Sequence, residues 1–191
     1  MLVVFGWIGC SSDPPPPPPP PPPDFDLALY GLWEDADNDC QDARTEALIA
    51  KSWGGVTLSN DGCRVIEGVW FDPFTSETFH DPRVLDVDHF VPIAEVHRSG
   101  ADRWPASKRR EYGNDLKHPD TLVVVSQTTK AKRAGKEPMD WLPPNPAVQC
   151  EYIETWKKVK DTWELEMDPG EKAFVTWMAQ RCALNKSAPK K

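Results

Sequence analysis

A single α+β domain is the fold class this sequence predicts, and three observations carry that prediction. Short runs of β-branched or alternating residues, at 63–70, 84–89 and 121–125, are interleaved with stretches of helical period. Two longer amphipathic patterns, 147–163 and 170–182, close the chain. The 191 residues suffice for one domain with a real core plus appendages, and no internal repeat is present.

The N-terminal residues read as an appendage. An apolar run over 2–9 ends at Trp7-Ile8-Gly9-Cys10, which looks like a lipoprotein cleavage site and makes Cys10 a candidate lipidated N-terminus and membrane anchor. The run is too short to span a bilayer. Ten prolines at 14–23 would form a stiff spacer of ~31 Å. The expected organisation is a signal at 1–10, a linker at 11–32, the folded domain at 33–185 and a basic tail at 186–191.

Four cysteines remain after Cys10, namely Cys40, Cys63, Cys150 and Cys182. They form no Cys-x-x-Cys pair and have no His at zinc-like spacing, so metal ligation by them is not expected. An even count in an exported chain predicts two disulfides. Three pairings exist, and the sequence-local one, Cys40–Cys63 with Cys150–Cys182, is the one expected. Each bridge would add ~3 kcal/mol by restricting the unfolded chain.

The elements follow in order. Residues 24–38 are acidic and read as an irregular lead-in. Asp39 can cap a helix over 40–53, which Gly54-Gly55 ends. Asn60-Asp61-Gly62 is a turn before a strand at 63–70, and after the Asp72-Pro73 turn residues 77–80 return as a hairpin partner. In the strand at 84–89, Asp86 and Asp88 share one face and Val87 the other. Pro92 opens a helix that Ser99-Gly100 stops, and Pro105 opens a basic helix over 106–112. The apolar run 121–125 reads as a buried strand, with Ser126 or Thr128 capping the helix that carries Lys130, Lys132 and Arg133. On the last helix Phe174, Trp177 and Met178 are expected to face inward. Most of the nine tryptophans are expected to be core anchors.

Formal net charge is −8, which disfavours a protein that coats nucleic acid over its whole surface. The charge is uneven, however. Between Arg98 and Lys136 ten Lys/Arg stand against four Asp/Glu, a distribution that suits either a local phosphate-binding face or a solvated helical surface.

Phosphodiester hydrolysis needs a base for water, a positive charge for the leaving oxygen and a hold on the phosphate. An Asp-His pair at a strand end can supply the first two, the ring acting as base and the carboxylate holding Mg²⁺ or Mn²⁺ through oxygen. Asp88-His89 is such a pair.

Its surroundings carry a family likeness. The stretch Asp86-Val-Asp-His-Phe-Val-Pro92, continuing to Ser99-Gly-Ala101, resembles the HNH, or ββα-metal (His-Me finger), endonucleases. More narrowly it is similar to their exported bacterial branch, related to the C-terminal nuclease domain of GmrSD-type restriction enzymes. Tyr112-Gly-Asn-Asp-Leu116, Leu122-Val-Val-Val-Ser126, Pro138-Met-Asp-Trp-Leu-Pro-Pro144, Cys40-Gln-Asp-Ala-Arg-Thr-Glu46 and Gly68-Val-Trp-Phe-Asp-Pro-Phe-Thr75 extend the resemblance over about 33–182. It implies a ββα-metal motif wrapped by helices and a monomeric, metal-dependent endonuclease acting on DNA or RNA. His89 would be general base, Asp88 the metal ligand and Asp86 a support from the same strand. Asn114 would brace the loop or the substrate. Apart from the resemblance, the basic residues Arg109, Arg110, Lys132 and Arg133 could hold phosphates or serve as solvated surface charges.

One position departs from the pattern. Where family members have a metal-ligating Asn, this chain has Lys130, and a protonated lysine repels a divalent ion. Three roles follow for Lys130. The site could hold metal weakly through Asp88 alone, Lys130 could itself neutralise the phosphate in metal-independent cleavage, or the domain could be a catalytically degenerate module that binds nucleic acid or protein. His97, on the next helix, is expected to be a polar surface group. Arg44 is expected to relieve the repulsion between Asp42 and Glu46.

Overall fold

The computed structural model describes residues 25–187, with the side chains of 186 and 187 left aside; Cys10, the proline run and most of the basic tail lie outside the described residues. The chain folds as an α+β domain of three two-stranded antiparallel sheets and six α-helices among those residues. No described helix is long and apolar enough to cross a membrane.

Helix α1 (Ala43–Lys51) starts three residues later than expected, with Asp42 rather than Asp39 as its cap: the Asp42 carboxylate accepts from the Thr45 N–H. Cys40 cannot be helical. Its φ of 75° is left-handed, its N–H donates to Asp35 Oδ2, and its sulfur is bonded to Cys63. The expected strand at 63–70 divides into β2 (Val65–Gly68), which pairs with β1 (Val56–Leu58), and β3 (Trp70–Asp72), which pairs with β4 (Glu77–Phe79).

The central ribbon is β5 (Leu85–His89) against β6 (Leu122–Ser126), in register from Leu85↔Ser126 to His89↔Leu122. Between these strands lie α2 (Ile93–Arg98) and α3 (Ala106–Gly113). Ser126 ends β6 and caps α4 (Gln127–Arg133) by accepting from the Thr129 N–H. The antiparallel ribbon therefore runs directly into a helix. Buried Asp72 fixes this corner, accepting from the Ser126 N–H and the Thr129 hydroxyl.

Two clusters form the core. The smaller joins Ala47 and Leu48 of α1, Trp70, and one face of the ribbon: Leu85, Val87, Leu122 and Val124. The larger gathers Phe74, Val91, Val96, Tyr112, Val125, Tyr152, Trp156 and Trp163 around α5 (Gln149–Trp163) and α6 (Pro169–Ser187). Tyr30, expected in the linker, is fully buried in it. Trp177, expected inward, is 51% exposed. Met178 is buried as expected, and it shares the buried stripe of α6 with Glu171, Val175 and Cys182 at helical spacing. Both disulfides have the expected pairing, Cys40–Cys63 and Cys150–Cys182.

Candidate functional site

Strand alternation positions the site. Along β5, residues 85, 87 and 89 are buried and 86 and 88 half-buried. Asp86 and Asp88 thus share the ribbon face that looks toward α4, and His89 sits at the strand end on the other parity. The ring of His89 is 2% exposed and lies between two aromatic rings, Trp33 at 5.8 Å and Tyr112 at 5.1 Å between centroids, both nearly parallel to it. Its Nε2 lies 3.2 Å from the Gly113 carbonyl. A carbonyl only accepts, so Nε2 carries the proton in the neutral ring and Nδ1 keeps the lone pair. Burial pushes the imidazole down to about 4, against the smaller opposing influence of Asp88, and nearby Lys130 acts in the same direction as burial. His89 is therefore neutral at ordinary pH, with an unprotonated Nδ1 that is a weaker base than a free imidazole.

Gly113 is glycine for a steric reason. A Cβ there would stand 2.2 Å from the Tyr30 carbonyl oxygen. The close approach of the lead-in to the end of α3 sets both the Gly113 carbonyl and the stacking of Trp33.

Each carboxylate on the α4 face already has a cation. Lys130 Nζ donates to Asp86 Oδ2 at 2.8 Å, and Arg44 Nε lies 3.8 Å from Asp86 Oδ1. Arg44 also reaches the Leu85 carbonyl, so it serves the ribbon rather than the Asp42–Glu46 repulsion expected of it. Arg133 Nη1 donates to Asp88 Oδ2 at 3.0 Å and to the His89 carbonyl at 2.9 Å, and Nη2 donates to the Phe90 carbonyl. The other Asp88 oxygen accepts the His89 N–H at 2.9 Å.

A divalent ion at Asp88 does not fit this donor set. Both Asp88 oxygens have protein donors, α4 presents the Lys130 ammonium and the Arg133 guanidinium to this face, and among the described residues no second free carboxylate adjoins. The described carboxylates that do converge are elsewhere, Asp35/Asp37/Asp39 on the exposed lead-in and Glu95/Glu137/Glu171 in the core.

The expected phosphate-binding residues divide. Arg133 is fully buried and Arg109 donates Nη1 to the carbonyls of Ala101, Asp102 and Trp104. Arg133 is thereby closed to substrate, which corrects the role expected of it, and half-buried Arg109 spends Nη1 on the backbone. Asn114 uses its amide internally as well, donating to the Gly31 and Arg110 carbonyls and accepting from the Glu34 N–H. It braces the loop and not a substrate. Arg110 pairs with Glu34 at 2.6 Å. Lys132 is exposed, and the Lys130 side chain is 41% exposed at the ribbon. His97, expected at the surface, is 1% exposed and meets the Tyr30 hydroxyl at 3.1 Å.

Sequence reading missed Trp33, Tyr112, Gly113 and Arg44 as neighbours of the site. It also missed a buried ionic cluster. Lys160, 1% exposed, donates to Glu95 at 2.8 Å, to Glu171 at 2.6 Å and to the Ser99 hydroxyl at 2.9 Å. Glu137 completes the group with its carboxyl pushed up to about 7, first by burial and then by Glu95 and its other acidic neighbours. No local signal marks these residues, which lie on separate helices and loops.

Comparison with known proteins corrects the family expectation. No protein-family model matches the chain, and no solved structure matches it. A relative is found in the fungus Arthroderma benhamiae, a protein described as an uncharacterized secreted protein, 33% identical over 129 residues. The match covers 67% of this chain and 63% of the relative, so the chain spans less than two thirds of that protein's length. The expected kinship to an exported bacterial HNH family is thereby overturned, since this relative is a eukaryotic secreted protein and no family model matches. Export itself agrees with that relative and with the two disulfides.

Proposed function

We propose that the protein is an exported hydrolase of nucleic-acid phosphodiester bonds, working at the end of the β5–β6 ribbon without a resident metal. In this reading β5, β6 and α4 form a ββα nuclease unit, with His89 Nδ1 as the general base and Lys130 as the cation that meets the phosphate. The observation that carries it is the His89 ring, held by the Gly113 carbonyl as the Nε2–H tautomer and kept neutral by burial. A fixed, uncharged imidazole with its lone pair on a defined nitrogen is what water activation requires. Lys130 can exchange Asp86 for a phosphate oxygen because its side chain is partly open to solvent. The protein acts outside the cell, free or tethered through Cys10. Cleavage of supercoiled DNA and of single-stranded RNA, each with EDTA and with Mg²⁺ or Mn²⁺, tests it: the reading requires cleavage that survives EDTA.

A second reading has its own support. Both oxygens of Asp88 are engaged and His89 is 2% exposed, which suits a binding module that keeps the nuclease arrangement without its turnover. Lys130→Asn separates the two. A fall in EDTA-resistant cleavage places Lys130 in a working site, whereas new Mg²⁺-dependent cleavage from an inactive parent supports the retired enzyme.

A further inference from the structure

A cleft of about 640 Å³ opens beside α4, within the ~300–1,000 Å³ typical of small-ligand sites. The β4 strand contributes Glu77 and Phe79, α4 contributes Thr128 and Lys132, and the segment after α4 contributes Trp141 and Asn145. Lys132 is two residues from Lys130, about 200° round the helix, so the cleft lies on the far side of α4 from Asp86.

Three features of the lining define a ligand. Trp141 is held by T-shaped contacts with Phe74 at 5.5 Å and Tyr152 at 5.7 Å, which makes it a fixed aromatic wall. Lys132, exposed, forms no ion pair among the described residues, whereas Lys130 is paired with Asp86. Glu77 is the only carboxylate on the lining and Thr128 adds a hydroxyl, while the Asn145 amide is held by the Ser76 hydroxyl and the Ala147 N–H.

We propose that this cleft binds one nucleotide unit, with its base against Trp141 and Phe79, its phosphate at Lys132 and its sugar hydroxyls toward Glu77 and Thr128. Aromatic stacking tolerates any base, so the cleft reads a nucleotide without reading sequence. Lys132 is the one cation on the lining and Glu77 its one carboxylate, so each phosphate beyond the first adds negative charge with no further cation to meet it, which disfavours a triphosphate. The proposal rests on the phosphodiesterase reading for its purpose, a hold on the polymer away from the cut. The helix between cleft and ribbon is about 10 Å across, a gap that about three nucleotides span at ~3.4 Å each.

Calorimetric titration of the full chain with AMP, ATP and inorganic phosphate tests it. AMP is expected to bind with a Kd of about 1 mM or tighter, and ATP and phosphate at least about fivefold more weakly. Lys132→Glu, a surface change that leaves the core intact, is expected to weaken AMP about tenfold or more, and Trp141→Ala to do the same if it folds. His89→Ala is expected to bind AMP unchanged. No heat of binding with AMP up to about 10 mM, or equal binding by Lys132→Glu, overturns the proposal. Cleavage of nucleic acid without AMP binding removes the cleft and leaves the hydrolase. AMP binding without cleavage supports the cleft and removes the hydrolase.

Discussion

Replacing Glu137 with Gln isolates one titration inside the core. Glu137 is 5% exposed, and its carboxylate converges with those of Glu95 and Glu171. The ammonium of Lys160 bonds both of those partners, and Arg98 donates to Glu95. Among the described residues no cation forms an ion pair with Glu137, while Asp168 and Asp140 add further negative charge. Burial first, and these acids second, push its carboxyl from the ordinary 4.5 up to about 7. The folded protein thus holds this proton more tightly than the unfolded chain does. The associated stability is fully present below pH 4.5 and is lost as pH rises through about 7. At ~1.36 kcal/mol for each tenfold change in proton affinity, the loss approaches about 3 kcal/mol by pH 8. Glu137→Gln cannot ionise and keeps a neutral group in the same space. Urea unfolding at pH 4.5 and pH 8 measures the effect on both proteins. The wild type should lose about 3 kcal/mol more than the variant over that interval, and the variant should be the more stable of the two at pH 8. Parallel losses would refute the reasoning, because every other titrating group is common to both chains.

Further predictions concern the same core and the site. Lys160→Met leaves the Glu95 and Glu171 carboxylates buried without their shared cation, and should cost ~3–5 kcal/mol at pH 7 by urea unfolding, with a smaller deficit at pH 5. Opening the Cys150–Cys182 bridge by the double change to Ala frees a span of 32 residues and should lower unfolding free energy by about 3–4 kcal/mol. Gly113→Ala forces the end of α3 from the Tyr30 carbonyl, so it should lower the melting temperature and change the His89 ring environment in an NMR spectrum. The stacking of Trp33 on His89 gives a related expectation: Trp33→Ala should raise the imidazole toward its ordinary 6.5 by admitting water, as read by NMR titration.

Elements whose signal is local were legible in the sequence. The helix over Ile93–Arg98 agrees residue for residue, the first ribbon strand starts one residue late with its end as expected, and the second is displaced by one residue. The α1 start was misplaced because a disulfide and the Asp35 carboxylate hold Cys40 in a left-handed turn, and a cap motif does not reveal that. Trp177 was misassigned because α6 has apolar residues on more than one side, and only packing selects which stripe is buried. In the site, Asp88 and His89 were singled out by the motifs around them, since an adjacent Asp-His pair is common in any sequence. Their partners were not: Arg133 lies 45 residues from Asp88 and Gly113 24 residues from His89. That distance decides the chemistry, since Arg133 turns an expected metal ligand into half of an ion pair. Lys160 illustrates the same limit, looking like one more surface charge on an amphipathic helix until its glutamates arrive from 65 and 11 residues away.

The central claim is that His89 acts as a base in phosphodiester cleavage without a metal. Nicking of supercoiled DNA by the purified full chain in EDTA at pH 6, compared between wild type and His89→Ala, tests it most directly. The account predicts nicking by the wild type and a fall of about a hundredfold or more in the variant, with an acid limb near 4 rather than 6.5. Equal background from both proteins would contradict it.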